Sequence, residues 1–348
     1  MTNNQNQPDI HNQLDQDGLQ DFNFFSIFND VFTSRTQLEK QELYLSGIAQ
    51  FDINRISIPR PWLFFRVFMS LTAMFALVYI ISAFGGILSL PTLMFLGALI
   101  VPFTLIVLFF ELNVYRDISI FSIIKMFGMG GALAVIFTLI LHDLIGYNKG
   151  MDYLGALLTG VVEEAAKVAV VYFAMLNHKN KTISNGLLTG AAIGGGFASI
   201  ESAGYAFLGM FLNFSGYPAI IYSSQYLAIS VRQMLDVLYL RCILAPGGHI
   251  IWAAIEGAAI AMVLGKKSKD KNKTNLKSLG LILFCVLLHS LWNMPLKFVL
   301  LPARIYFVPL VLTILAWSAG LRLIKAGINE AFERKNKTQA QNIKEPSN

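Results

Sequence analysis

From Leu63 onward the chain is a series of apolar runs separated by short polar or basic stretches. The runs lie at about Leu63–Ile81, Leu90–Glu111, Met126–Leu144, Tyr153–Leu176, Gly186–Leu212, Pro246–Gly265, Leu279–Leu300 and Tyr306–Ile324. Each is close to the roughly 20 residues that an α-helix needs to cross about 30 Å of hydrocarbon. The predicted fold is therefore all-α, a polytopic membrane helix bundle of about eight transmembrane helices. Residues 1–22 are rich in Asn, Gln and Asp, lack the apolar core of a signal peptide, and are expected to be disordered. Residues 24–60 mix apolar and charged positions, with a helix expected at Gln37–Tyr44, on the membrane surface or against the first span. Residues 219–244 are apolar overall but carry Arg232, Asp236 and Arg241. Arg232 and Asp236, four apart, would share one face, which suits an interfacial amphipathic helix better than a ninth span.

Composition supports the membrane reading. Of 348 residues, 55% are hydrophobic and 14% charged, against about 25% charged in soluble domains. The mean hydropathy is +0.56. The net charge of +6 resides in loops and tails, not in a basic stripe, which argues against a nucleic-acid partner. With the N-terminus inside, 21 of the 27 Lys and Arg residues fall on inside segments and five outside, with Lys167 within a span. That asymmetry predicts a multi-pass protein of the cell membrane with both termini cytoplasmic. Residues 1–60 would form a cytoplasmic region, 61–325 the transmembrane domain and 326–348 a basic cytoplasmic tail. Lys266–Lys277 would be a solvated cytoplasmic loop, so the Asn272–Thr274 triplet would not be glycosylated. Cys242 and Cys285 are far apart and read as two reduced thiols.

Ionisable side chains within a bilayer are costly and point to function. The fourth run holds Glu163, Glu164 and Lys167, the fifth Glu201, the sixth His249 near its start, and the seventh His289 and Asn293. Such a set suits divalent-metal binding or proton handling. Glu163 and Lys167 share a face, as do Phe197 and Glu201, and His289 and Asn293. Adjacent Glu163 and Glu164 diverge by about 100°, so the two can take different roles. An ion pair with Lys167 alone would leave one carboxylate unpaired. Glu164, Glu201 and His289 lie about 11 residues, or roughly 16 Å, from the outer ends of their spans. His249 lies only about 5 Å in. Either its helix starts within Ile243–Pro246 or the Gly247–Gly248 approach dips into the membrane. Gly194, Gly195 and Gly196 read as close helix packing.

Four segments in order then match a known pattern: Glu163-Glu164-x-x-Lys167, Phe197-x-x-x-Glu201, Arg241-x-x-x-x-Pro246-x-x-His249 and Leu288-His289-x-x-x-Asn293. Over about Leu63 to Ile324 the chain resembles the PrsW-type intramembrane metalloproteases, distant relatives of the CAAX-processing proteases. Glu201, where the latter carry His, puts it on the PrsW side. The resemblance implies an endopeptidase that cleaves integral membrane proteins, such as an anti-sigma-like regulator, near the outer face. Glu201, His249 and His289 would hold a divalent metal, Zn2+ being the expected ion. Glu163 or Glu164 would act as general base, Lys167 would orient a carboxylate, and Asn293 would hydrogen-bond the scissile carbonyl. A metal-free, CAAX-like version keeps the residues and lets a glutamate activate water directly. From another class, a proton-coupled transporter could use the same Glu/His cluster.

Overall fold

The computed structural model describes residues 22–48, 52–84, 89–147, 152–211, 224–265, 271–296 and 304–344. The expected disorder of residues 1–22 falls almost wholly outside them. Among the described residues the secondary structure is helical, with no strand. We number the helices α1 (Gln37–Tyr44), α2 (Leu63–Ala83), α3 (Leu90–Leu112), α4 (Ile120–Ile145), α5 (Tyr153–Leu176), α6 (Ile183–Phe211), α7 (Ser224–Leu244), α8 (His249–Leu264), α9 (Lys271–Asn293) and α10 (Arg304–Lys344).

Six stretches are long and apolar enough to cross a membrane: α2, α3, α4, Ala228–Leu264 spanning most of α7 with α8, α9, and Phe307–Gln341 in α10. A polytopic helical bundle is thus the fold. The predicted fourth and fifth spans are present as α5 and α6 but are less apolar. α5 carries Glu163, Glu164 and Lys167, and α6 is rich in Gly and Ser. Both lie largely against other helices, and a helix surrounded by protein can present small and charged residues that lipid would not accept. α2 is the opposite case: apolar and outward-facing, with Met69, Leu77 and Ile80 exposed.

Glycine sets the helix spacing at the centre. Gly186, Gly190 and Gly194 form one ridge of α6, and a Cβ on each would meet the backbone of α8 at Gly257, Ala253 and His249. Gly195 faces Ile106 of α3, and Gly196 faces Phe127 in the π-helical turn of α4, Met126–Gly130. The three consecutive glycines therefore let three different helices approach α6. Gly160 of α5 does the same for α9: a Cβ there would lie 2.9 Å from the backbone nitrogen of Ser290.

Helix α1 has the expected bounds, started by a capping box between Thr36 and Glu39. Ile27, Val31, Leu43 and Ile56 join the core formed with Phe109, Phe110 and Leu112 of α3. Glu111, at the end of α3, accepts the backbone N–H groups of Trp62, Leu63 and Phe64 at 2.8–2.9 Å, capping α2.

Three expectations change. α9 starts at Lys271 and stops at Asn293 instead of running Leu279–Leu300, because Pro295 removes a donor and biases the residue before it out of helix. Residues 271–277 of the expected Lys266–Lys277 loop are its first turns, and 266–270 lie outside the described residues. The segment expected at an interface, α7, packs Met234 and Leu238 into a second core with Leu93 of α3 and Ala206 of α6. Its Arg232 and Asp236 do face outward. α10 continues past Ile324 to Lys344, where Lys335 donates to the carbonyl of Ile56 at 3.0 Å.

Candidate active site

Four helices bring the charged residues together. α5 contributes from its middle, α8 from its first half, and α6 and α9 from their last halves, so neighbouring helices deliver their side chains to one cluster. The shallow position of His249 is explained by the turn before it. α7 ends at Leu244, a 3-10 turn covers Ala245–Gly247, and His249 opens α8. Trp317 of α10 donates to the carbonyl of Pro246 at 2.8 Å, and Gly247 packs on Thr313, so α10 braces that corner. Of the two sequence-based alternatives, the approach through Gly247–Gly248 carries the histidine to its partners.

The inner half of the site is sealed. Lys167 and Glu164 are fully buried and His289 nearly so. Lys167 Nζ donates to Glu164 Oε1 at 2.6 Å and to His249 Nδ1 at 3.0 Å. His289 Nδ1 lies 2.5 Å from the same Glu164 oxygen. His249 Nε2 lies 2.8 Å from Glu201 Oε2, and Arg241 pairs with that oxygen from α7. Arg241 also stacks on Tyr205, its Cζ 4.8 Å from the ring centroid, and bonds Ser202. An aromatic wall closes the rest. Phe197 meets the His249 ring at 4.9 Å, and Trp252 lies 4.8 Å from the His289 ring and 5.6 Å from Trp292. Access is left on the Glu201 side, where that side chain is 20% exposed.

These bonds assign the tautomers. His289 donates through Nδ1 to Glu164, and His249 donates through Nε2 to Glu201, so His289 Nε2 and His249 Nδ1 carry lone pairs. His249 Nδ1 takes the Lys167 donor, whereas His289 Nε2 has none; they lie 3.9 Å and 3.6 Å from Glu163 Oε2. Glu163 Oε2 is itself buried without a hydrogen-bond partner. Three acceptors face one another, and two of them have no donor between them.

One ligand atom from each of Glu163, His249 and His289 lies within 4.8 Å of the others, and among the described residues this is the group able to hold a metal ion. The expected trio had Glu201 where this one has Glu163. Glu201 is instead engaged by Arg241 and His249. Asn293 closes α9 one turn beyond His289, half-buried. Two participants were missed in the sequence. Arg241 stands in a motif and among the charges of residues 219–244, but neither gives it a partner in the site. Glu256 lies in the middle of α8, fully buried, with Glu164 beside it. Its signal was plain, a carboxylate in an Ala- and Ile-rich run.

The donor set fits a divalent cation on two counts. The orphaned Glu163 oxygen and the His289 Nε2 lone pair are two acceptors 3.6 Å apart with no donor between them. One ligand atom from each of Glu163, His249 and His289 also lies within 4.8 Å of the others, close enough to meet at one ion.

Fold and site thus define a polytopic membrane protein with an acid- and imidazole-lined centre whose Glu163, His249 and His289 could hold a metal ion. The model of the PrsW family intramembrane metalloproteases matches residues 119–318, more than half of the chain and including every residue of this centre. The chain belongs to that family, and with it to the peptidases that act on membrane proteins in the bilayer. No curated protein and no solved structure matches it.

Proposed function

We propose that the chain is an intramembrane endopeptidase whose water-activating centre is built on Glu163, His249 and His289. The observation that carries this is the orphaned Glu163 oxygen, 3.6 Å from the unengaged His289 Nε2 and 3.9 Å from His249 Nδ1. A bound divalent ion, zinc being the best match to a carboxylate and two imidazoles, would supply a Lewis acid for the water and the scissile carbonyl.

The chain's own groups do the rest. Glu164 and Glu201 each fix one imidazole through its second nitrogen, the outer-shell arrangement that metal-binding histidines normally have. Lys167 neutralises Glu164, and Arg241 holds Glu201 in place. Glu201, on the accessible side, is assigned the proton of the entering water and its return to the leaving amine. Asn293 is assigned the carbonyl oxygen. The Trp252–Trp292 wall and the buried Glu164–Lys167 pair keep bulk water out from behind. Substrates are integral membrane proteins, with an anti-sigma-like regulator one candidate, cut near the outer face with both termini of the enzyme cytoplasmic. The ionisable groups converge on one cluster instead of lining a path through the bundle, which favours hydrolysis over proton-coupled transport.

A second reading rests on one contact. Lys167 Nζ, 3.0 Å from His249 Nδ1, already supplies a donor to one of the proposed ligand atoms. In the metal-free version Glu163 takes the proton of water directly and the histidines stabilise the oxyanion. The test incubates purified protein in liposomes with single-span membrane proteins. Cleavage should vanish in Glu163→Gln and in His289→Ala. A chelator should abolish wild-type cleavage and zinc restore it; cleavage indifferent to chelator selects the metal-free reading. Full activity of Glu163→Gln would remove the site assignment altogether.

A further inference from the structure

Glu256 is the ionisable group of the cluster that the proposed chemistry does not use. It lies seven residues, or about 10 Å, along α8 from His249. It is fully buried, and neither of its carboxylate oxygens has a hydrogen-bond partner. The charged groups around it are Glu164 and Lys167 of α5, with the Cys285 thiol of α9 beside them. The thiol is no donor to it, since Sγ points to the carbonyl of Trp252 at 3.5 Å.

Lys167 bonds Glu164 and His249 and makes no hydrogen bond to Glu256. Glu164 shows a matching deficit. Its Oε1 takes both Lys167 and His289, while Oε2 is buried with no partner. Two carboxylates in side-chain contact thus share three unsatisfied oxygens and no donor. A single proton resolves this. A carboxylate only accepts, whereas a carboxylic acid has one O–H to give, and two carboxylates sharing one buried space do not both ionise.

We propose that Glu256 is a neutral carboxylic acid whose O–H donates to Glu164 Oε2, making it a positioning residue for the Glu164–His289 pair. Glu164 is then bonded at both oxygens, to Lys167 and His289 on one and Glu256 on the other. It is therefore the carboxylate that orients, and Glu163 the one left free to meet a cation or water. The effect on cleavage rests on the protease reading above; the protonation state does not.

Two measurements test the proposal separately. Infrared spectra of the full-length protein in lipid at neutral pH should show the carbonyl stretch of an un-ionised carboxylic acid, and E256Q should lack it. No such band in the wild type, or the same band in E256Q, overturns the proposal. In the cleavage assay E256Q keeps a donor through its amide and should retain most activity. E256M, of similar length but without a donor, should lose roughly ten- to a hundred-fold in kcat with KM little changed, the size expected for one hydrogen bond to a charged group. Wild-type kcat in E256M, or a dead E256Q that is still folded, also overturns it, the latter because an ionised Glu256 is then required. If the band is present but Glu163→Gln still cleaves, the neutral acid stands and the catalytic assignment falls.

Discussion

Replacing Lys167 by Met tests whether the sealed half of the site is held by charge. Its ammonium is fully buried, 2.6 Å from Glu164 Oε1 and 3.0 Å from His249 Nδ1. Methionine fills similar space with no charge, so Glu164 would keep its carboxylate with one strong partner gone. Removing one member of a buried pair costs about 3–5 kcal/mol, because the other is left uncompensated. At about 2 °C per kcal/mol for a large domain, the apparent Tm should fall by roughly 6–10 °C. Adding Glu164→Gln removes the stranded charge, so Lys167→Met/Glu164→Gln should recover most of that loss. Thermal unfolding of the four proteins in one detergent forms a double-mutant cycle, with an expected coupling of roughly 2 kcal/mol or more. Additive losses, or a Lys167→Met protein as stable as the wild type, would show that the pair is not what stabilises this region.

Gly160→Leu should separate α5 from α9, since even a Cβ would press on Ser290. The cost should be about 1–3 kcal/mol, with cleavage lost because His289 leaves Glu164. Arg241→Gln should lower cleavage about 10–100-fold, the usual cost of losing an outer-shell partner, while thermal stability, read by the same melts, changes far less. His178, between α5 and α6, has its pKa pushed below the ordinary histidine value chiefly by burial, against an opposing pull from Asp117. The unfolded chain then binds the proton first, so His178's contribution is present above about pH 6.5 and is lost as pH falls from there toward the depressed folded value. Melts from pH 7 to 5 should slope less in His178→Gln than in the wild type; equal slopes would exclude His178 as the source.

Much of this was legible because apolar runs and buried charges are local signals. The helices containing the expected spans could be placed by length, and the short helix Gln37–Tyr44 was expected with the bounds it has. Gly194, Gly195 and Gly196 read correctly as packing, although which helix each one faces is a tertiary fact. Local spacing also paired Glu163 with Lys167, four apart, whereas the ion pair formed is Glu164–Lys167, three apart. Which carboxylate turns inward depends on the helices around α5, not on α5 alone. The exchange of Glu201 for Glu163 in the candidate metal group has the same origin. Arg241 reaches Glu201 from α7, whose packing against α6 no spacing rule predicts. The end of α9 was misplaced because the apolar run continues to Leu300, while the helix stops at Asn293, two residues before Pro295.

The glycine ridge of α6 has a mechanical consequence. Along Gly186, Gly190 and Gly194 the contact with α8 is backbone against backbone, so that seam holds no rotamers that could swing aside. It can part only by moving two whole helices, and sliding by one residue would drive a side chain into a slot shaped for none. Lateral opening to admit a polypeptide therefore falls to seams lined by longer side chains. The flank where Arg241 and Tyr205 fold over Glu201 is one: it can yield by side-chain rotation while the α6–α8 spine keeps His249 in register.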